Sequence, residues 1–129
     1  MVAVNVVVLA GTLATEPVER TMPSGDEVVE LRLSVPSEGK RLLPLPVAVW
    51  KGTVGARRFR EIVALEKGAP VLVNGELVRR FYRSGAGARS LTEVVASGVR
   101  ALEPEDEVVD TEIGPVAIPH EDETTGVSV

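Results

Sequence analysis

The sequence has no cysteine, a single histidine and only four aromatic residues in 129. Without cysteine there is no disulfide framework, no thiol nucleophile and no thiolate zinc site, and one histidine cannot by itself supply a metal cluster. Long hydrophobic runs are also missing. The longest near the start, Val6–Ala10, is too short for a membrane-spanning helix or a signal h-region, and no basic segment precedes it. These absences predict a soluble, cytoplasmic protein with no membrane partner. Catalytic motifs are no easier to find. Gly85-Ala-Gly87 is too short for a dinucleotide fingerprint and sits between two strand-like runs. His120 lies beside Glu121, Asp122 and Glu123 in a polar tail that offers no rigid support for a site. No pair of carboxylates in the rest of the chain marks a cleft for acid–base work. A non-enzyme without cofactor or metal is expected.

The length fits one domain with some chain left over. The net charge of −5 argues against a nucleic-acid partner until its distribution is considered. All fourteen Lys and Arg lie between Arg20 and Arg100, against ten acids in residues 1–102, which leaves that part at +4. Residues 103–129 hold nine acids and no Lys or Arg. The expectation is a mildly basic domain over 1–102 followed by an acidic tail over 103–129. That tail is expected to be mostly disordered, serving either as an interaction segment or simply for solubility.

Twenty-four valines favour sheet. A first strand is expected over Val4–Leu13, then a connecting loop from Thr15 to Gly25 with two prolines. In the second strand, Val29, Leu31, Leu33 and Val35 alternate with Glu30, Arg32 and Ser34. A short third strand, Val47–Trp50, turns Val47 and Val49 inward and Ala48 and Trp50 outward. Residues 56–65 place Phe59, Ile62 and Val63 on one helical stripe, and Lys67-Gly68 reads as its stop. Strands over Val71–Arg83, with Gly75 as a bulge or bend, and over Leu91–Val99 flank a flexible tip at Ser84–Ser90. The order β-β-β-α-β-β predicts an all-β chain: a five-stranded oligonucleotide/oligosaccharide-binding (OB-fold) barrel with one short helix between strands three and four. A small sandwich of other topology is the competing architecture.

Exposed rings with cations around them are what sequence-independent binding of a single nucleic-acid strand requires. Trp50 falls on an outward strand phase, where a tryptophan has little to do for the core alone. Tyr82 and Phe81 have opposite phases; Tyr82 is assigned to the ligand, Phe81 to the core or a subunit contact. The outward cations are Arg32, Lys51 and Arg80, with Arg83 and Arg89 near the tip. About four phosphate contacts from such a set give a salt slope of roughly −3. Arg57, Arg58 and Arg60 on the helix read as a solvated face.

In order along the chain, several motifs resemble the bacterial single-stranded DNA-binding proteins. They are Asn5-Val-Val-Val-Leu-Ala-Gly11 with Leu13; Glu16-Pro-Val-Glu-Arg20 and Pro23-Ser-Gly25; Val28-Val-Glu-Leu-Arg-Leu-Ser34; and Val47-Ala-Val-Trp50. Lys67-Gly68, Val71-Leu-Val-Asn-Gly-Glu-Leu77, Arg80-Phe-Tyr-Arg83 and Thr92-Glu-Val-Val95 complete the series, which covers residues 4–102. The resemblance implies a barrel that binds single-stranded DNA in replication, recombination or repair. It also implies assembly as a homotetramer, with a dimer the other option, and association with the nucleoid. It carries stacking roles onto Trp50 and Tyr82. Two other aromatic positions of the family are lost, at Pro44 and in the loop around Glu38. The chain ends Thr124-Thr-Gly-Val-Ser-Val129 with its acids further in, so the family's recruitment of repair proteins by an acidic tip does not transfer. The alternative function is a protein-interaction module akin to the primosomal relatives of the family, with weak nucleic-acid binding.

Overall fold

A computed structural model describes residues 3–36, 44–103, 107–111 and 114–118. The valine alternation becomes a six-stranded sheet made of β1 (Val7–Leu13), β2 (Val18–Thr21), β3 (Glu27–Ser34), β4 (Leu45–Trp50), β5 (Pro70–Ser84) and β6 (Gly87–Ala101). Two helical segments, α1 (Lys51–Val54) and α2 (Ala56–Val63), separate β4 from β5. The strand order is β1-β5-β6-β4-β3-β2, and β1 pairs with β3 as well. Pairing therefore runs in a circuit from β1 through β5, β6, β4 and β3 back to β1. Only the β4–β6 contact in this circuit is parallel. This is the OB-fold connectivity, with helix between the third and fourth of its five strands.

One phase of every strand in the circuit faces inward. Val29, Leu31 and Leu33 of β3 meet Val47 and Val49 of β4, Val71 and Val73 of β5, and Val94 and Ala96 of β6. From α2, Phe59 and Ile62 add to this core, and Phe59 is completely buried. Burying each large side chain stabilises by about 1.5–3 kcal/mol.

Closure depends on a close approach of two backbones. At Gly11, a Cβ would collide with the carbonyl oxygen of Ser34, next to the Thr12–Ser34 pairing that joins β1 to β3. A second collision, with the Val95 carbonyl, explains Gly75, and the β5–β6 register shifts between Asn74 and Gly75. The bulge expected at Gly75 is present.

Several elements differ from the sequence reading. Val18–Thr21 forms a fully exposed strand against β3, where a loop was expected from Pro17 and Pro23. The prolines flank the strand instead of interrupting it, and Gly25, with φ 94°, serves the turn into β3. The expected helix stop at Lys67-Gly68 is also displaced. The helix ends at Val63, capped by Ala64, and Gly68 (φ 89°) instead donates its N–H to the Leu13 carbonyl at 2.8 Å. Residues 84–90 are not a flexible tip throughout: β5 and β6 pair as far as Ser84 and Gly87, leaving a two-residue turn. In the tail, β7 (Glu107–Thr111) and β8 (Gly114–Ile118) pair antiparallel. The short apolar runs Val108-Val109 and Val116-Ala-Ile118, set among acids, carry no strand alternation that would predict this pairing. His120, the remainder of the acidic tail and the loop around Glu38 lie outside the described residues.

Gly11→Ala should lower the unfolding free energy by about 1–3 kcal/mol, as overpacking against a fixed backbone does. Gly85→Ala, where a Cβ meets nothing within 4 Å, should leave it nearly unchanged. Urea denaturation of both variants reads the difference.

Candidate nucleic-acid interface

Closing one phase of the sheet inward turns the other phase outward. Trp50 is the last residue of β4 and the N-cap of α1, with extended angles (φ −93°, ψ 131°). In register it lies opposite Val28, which has Arg20 on its other side. Val28 belongs to the outer phase of β3 yet is 1% exposed, whereas Trp50 is partly buried. Residues directly opposite in an antiparallel pair have Cβ atoms about 5 Å apart, so part of the indole is in contact with the protein and part remains open. The outward expectation for Ala48 needs correction. It is 4% exposed, because Glu30 of β3 and Val95 of β6 are its register neighbours on either side.

An ion-pair cluster fixes the chain just after Trp50. Lys51 Nζ donates to Glu27 Oε2 at 2.6 Å, and Arg60 Nη2 reaches Glu27 Oε1 at 3.3 Å and Glu19 Oε2 at 2.9 Å. Three elements, β2, β3 and the helical segment, are thereby tied at one end of β4. The Lys51 ammonium, and then Arg60, hold the Glu27 carboxyl below the usual carboxylate range.

Apart from Arg32 on β3, the other predicted residues lie along β5 and β6, which extend together beyond the core. Tyr82 is 48% exposed and directly opposite Arg89. Arg83 faces Ala88 and is exposed. Arg80 points along the same phase as Tyr82, but Nη1 is held by Glu93 Oε1 at 2.9 Å, and that carboxylate is nearly buried. Arg32, opposite Pro46 on β3, is exposed. Of the five predicted cations, Lys51 and Arg80 are thus already engaged by carboxylates, a neutralisation that strand phase alone could not reveal. Arg32, Arg83 and Arg89 make no ion pair among the described residues.

Phe81 does not join the core. It is 75% exposed on the opposite phase of the arm, with the Arg79 guanidinium 5.4 Å from its ring centroid. The core option for this ring is overturned because nothing among the described residues packs over that part of the hairpin, whereas an exposed ring suits the subunit contact equally expected of it. Its pairing with Ser90 on an arm exposed on both faces makes it a second candidate platform. Trp50 and Tyr82 stand far apart. Counting residues along β6 from the level of Trp50 to Arg89 gives about 26 Å at strand rise, so the two rings mark the ends of a track and not one pocket. Among the described residues no helix is long and apolar enough to cross a membrane.

Residues 4–102 match the sequence model of the Single-strand binding protein family. Two relatives from Staphylococcus aureus, "Single-stranded DNA-binding protein 1" of strain COL and "Single-stranded DNA-binding protein 2" of strain MSSA476, are each 36% identical over 105 residues. Each alignment covers 79% of this chain and 63% of the relative, so the chain spans less than two thirds of those proteins.

Because the Glu27 carboxyl is easier to ionise in the folded chain, its contribution is complete at neutral pH and is lost as pH falls through its depressed folded value. Glu27→Gln should therefore be less stable than the parent at pH 7. The gap should close in acid below the ordinary carboxylate range, as urea unfolding across pH would record.

Proposed function

This chain belongs to the single-strand binding protein family, and from that premise we propose that it binds single-stranded DNA without strong sequence preference, along the outer face of β4, β6 and β5. The observation that carries the reading is the placement of Trp50 and Tyr82 on outward strand phases, with Arg89 exposed opposite Tyr82, Arg83 exposed on the other phase of the same arm, and Arg32 exposed on neighbouring β3. A partly open indole offers a π-face to a base, and each stacked base is worth about 1–3 kcal/mol. Arg89, opposite Tyr82, holds a phosphate beside that ring. Arg80 and Lys51 contribute less than their charge suggests, because Glu93 and Glu27 must be displaced before either can neutralise a phosphate.

We further infer that it works in replication, recombination or repair at the nucleoid, where single strands arise, and that it assembles into a homo-oligomer, with the tetramer first. Two features support assembly. Between Val7 and Gly11, β1 pairs only with β5 among the described residues, which leaves a strand edge that can template pairing. Beside it, an apolar hollow of about 230 Å³ is lined by Val7, Leu9, Leu45 and Leu77, and both Leu45 (40%) and Leu77 (49%) are substantially exposed. The basic domain and the acidic segment after Leu102 have opposite charge, so the tail competes with DNA for the same face at low salt.

Anisotropy of a labelled oligo-dT tests this. Trp50→Ala should lose at least about 1 kcal/mol of binding. For an oligonucleotide that reaches only from Trp50 to Tyr82, with three uncommitted arginines, log affinity against log salt should fall with a slope of about −2, shallower than the −3 expected from sequence. A Trp50→Ala variant that binds as tightly as the parent would favour the protein-interaction alternative.

A further inference from the structure

Immediately beyond Trp50, the outer wall of the molecule becomes a groove between the helical segment and the end of β6. Its first part, a hollow of about 330 Å³, is bordered by Thr53 and Arg58 on one side and by Asn74, Ser97 and Arg100 on the other. A second hollow of about 300 Å³ continues it between Arg58 and Arg100 towards Leu65. The floor is apolar, formed by Val54, Ile62 and Val99. The two hollows share Arg58, Ile62, Val99 and Arg100, so they adjoin along one groove, called the channel below.

The β5–β6 bulge builds this wall. Asn74 pairs with Gly98 and Gly75 with Ala96, which leaves Ser97 without an opposite residue on β5. A bulge of this kind re-aims side chains, here towards the groove. Gly98 makes room in turn: a Cβ there would lie 2.8 Å from Asn74 Oδ1, so the asparagine amide occupies the space that a side chain would fill. Thr53, Asn74, Ser97 and Arg100 have no side-chain hydrogen bond or ion pair among the described residues, and Arg58 has only a 3.7 Å contact with Glu61, both side chains largely exposed. Six polar side chains thus border the channel, the sixth being the Glu61 carboxylate beside Arg58 in the second hollow, and four of the six have bonding capacity unused.

Position connects the channel to Trp50. The parallel pairing of Ala48 with Val95, continued two residues, brings Trp50 level with Ser97. Thr53 and Val54 follow Trp50 within the α1 turn, about 5 Å of helical rise away. We propose that this channel is a second nucleotide-binding segment, in which Arg58 and Arg100 hold phosphates of the same strand whose base rests on Trp50. The apolar floor receives a sugar or base, and the Asn74 amide and the Ser97 and Thr53 hydroxyls meet its polar edge. The inference rests on the single-strand-binding reading above and extends it to a surface that includes Arg58, one of the helical arginines expected to form only a solvated face.

Binding of short and long oligo-dT by the full chain distinguishes the two. Arg58→Ala with Arg100→Ala should leave a short oligonucleotide that covers only Trp50 bound as before. A long one should bind about tenfold more weakly at low salt, with the salt slope shallower by about 1.4 for two lost phosphate contacts. Replacing both arginines by lysine should restore the slope, and Asn74→Ala should weaken the long oligonucleotide without changing it. An unchanged slope in the double alanine variant, with parent-like thermal unfolding, would overturn the proposal while leaving the Trp50 reading intact. A parent chain that fails to bind either oligonucleotide would instead remove the single-strand reading itself. Saturation of the arginines by an acidic peptide of the 103–129 sequence, with long oligo-dT unaffected, would assign the channel to a protein segment and also count against the proposal.

Discussion

Where β1 leaves β5 and pairs with β3, the chain commits to a closed circuit, and the collision that any Cβ at Gly11 would make with Ser34 marks how close that crossing is. Once the circuit closes, each strand has an inside and an outside. Val29, Leu31, Leu33, Val47, Val49, Val71, Val73 and Val94 fill the inside with Phe59 against them. Trp50, Arg80, Tyr82 and Arg89 belong to the phase left outside, whereas Phe81 and Arg83 share the other phase on the arm that extends beyond the core. The location of Trp50 follows from two neighbours in sequence: Val49 must be in, so Trp50 must be out, and the Glu27 cluster anchors the chain as it turns into helix.

Much of this is legible in the sequence, because strand periodicity is a local signal. The strict alternation from Val29 to Val35 identifies the core face of β3, and Gly75 within a long apolar run marks a bulge that is indeed found. The stripe of Phe59 and Ile62 gives the helix and its buried side. What sequence does not reveal depends on partners far along the chain. Val18–Thr21 is a strand only because β3 supplies a ladder for it, and Ala48 is buried only because Glu30 and Val95 flank it. Phe81 is not core for the same reason: whether an apolar ring is buried depends on whether anything packs over that part of the hairpin, and nothing among the described residues does.

Electrostatics follows the same division. Counting Lys and Arg suggests five cations for phosphates, but charge is committed pairwise in space. Glu93 lies thirteen residues from Arg80 and Glu27 lies twenty-four from Lys51, separations that no local pattern exposes. The surface is therefore less basic along its centre than at its two ends, where Arg83 and Arg89 accompany Tyr82, and Arg58 and Arg100 border the channel past Trp50. On the proposed reading, a strand would be held most strongly at the two ends and guided between them by stacking and shape. That distribution reconciles a net charge of −5 with a nucleic-acid partner, since nine of the acids fall after residue 102.

The central claim is that a nucleobase lies against the open side of Trp50. Because the chain contains one tryptophan, its intrinsic emission reports that ring alone. Titration with unlabelled oligo-dT should quench the emission strongly and saturably, and added salt should restore it as the strand dissociates. Emission that stays constant while the oligonucleotide is demonstrably bound would contradict the account, since the strand would then occupy some other surface.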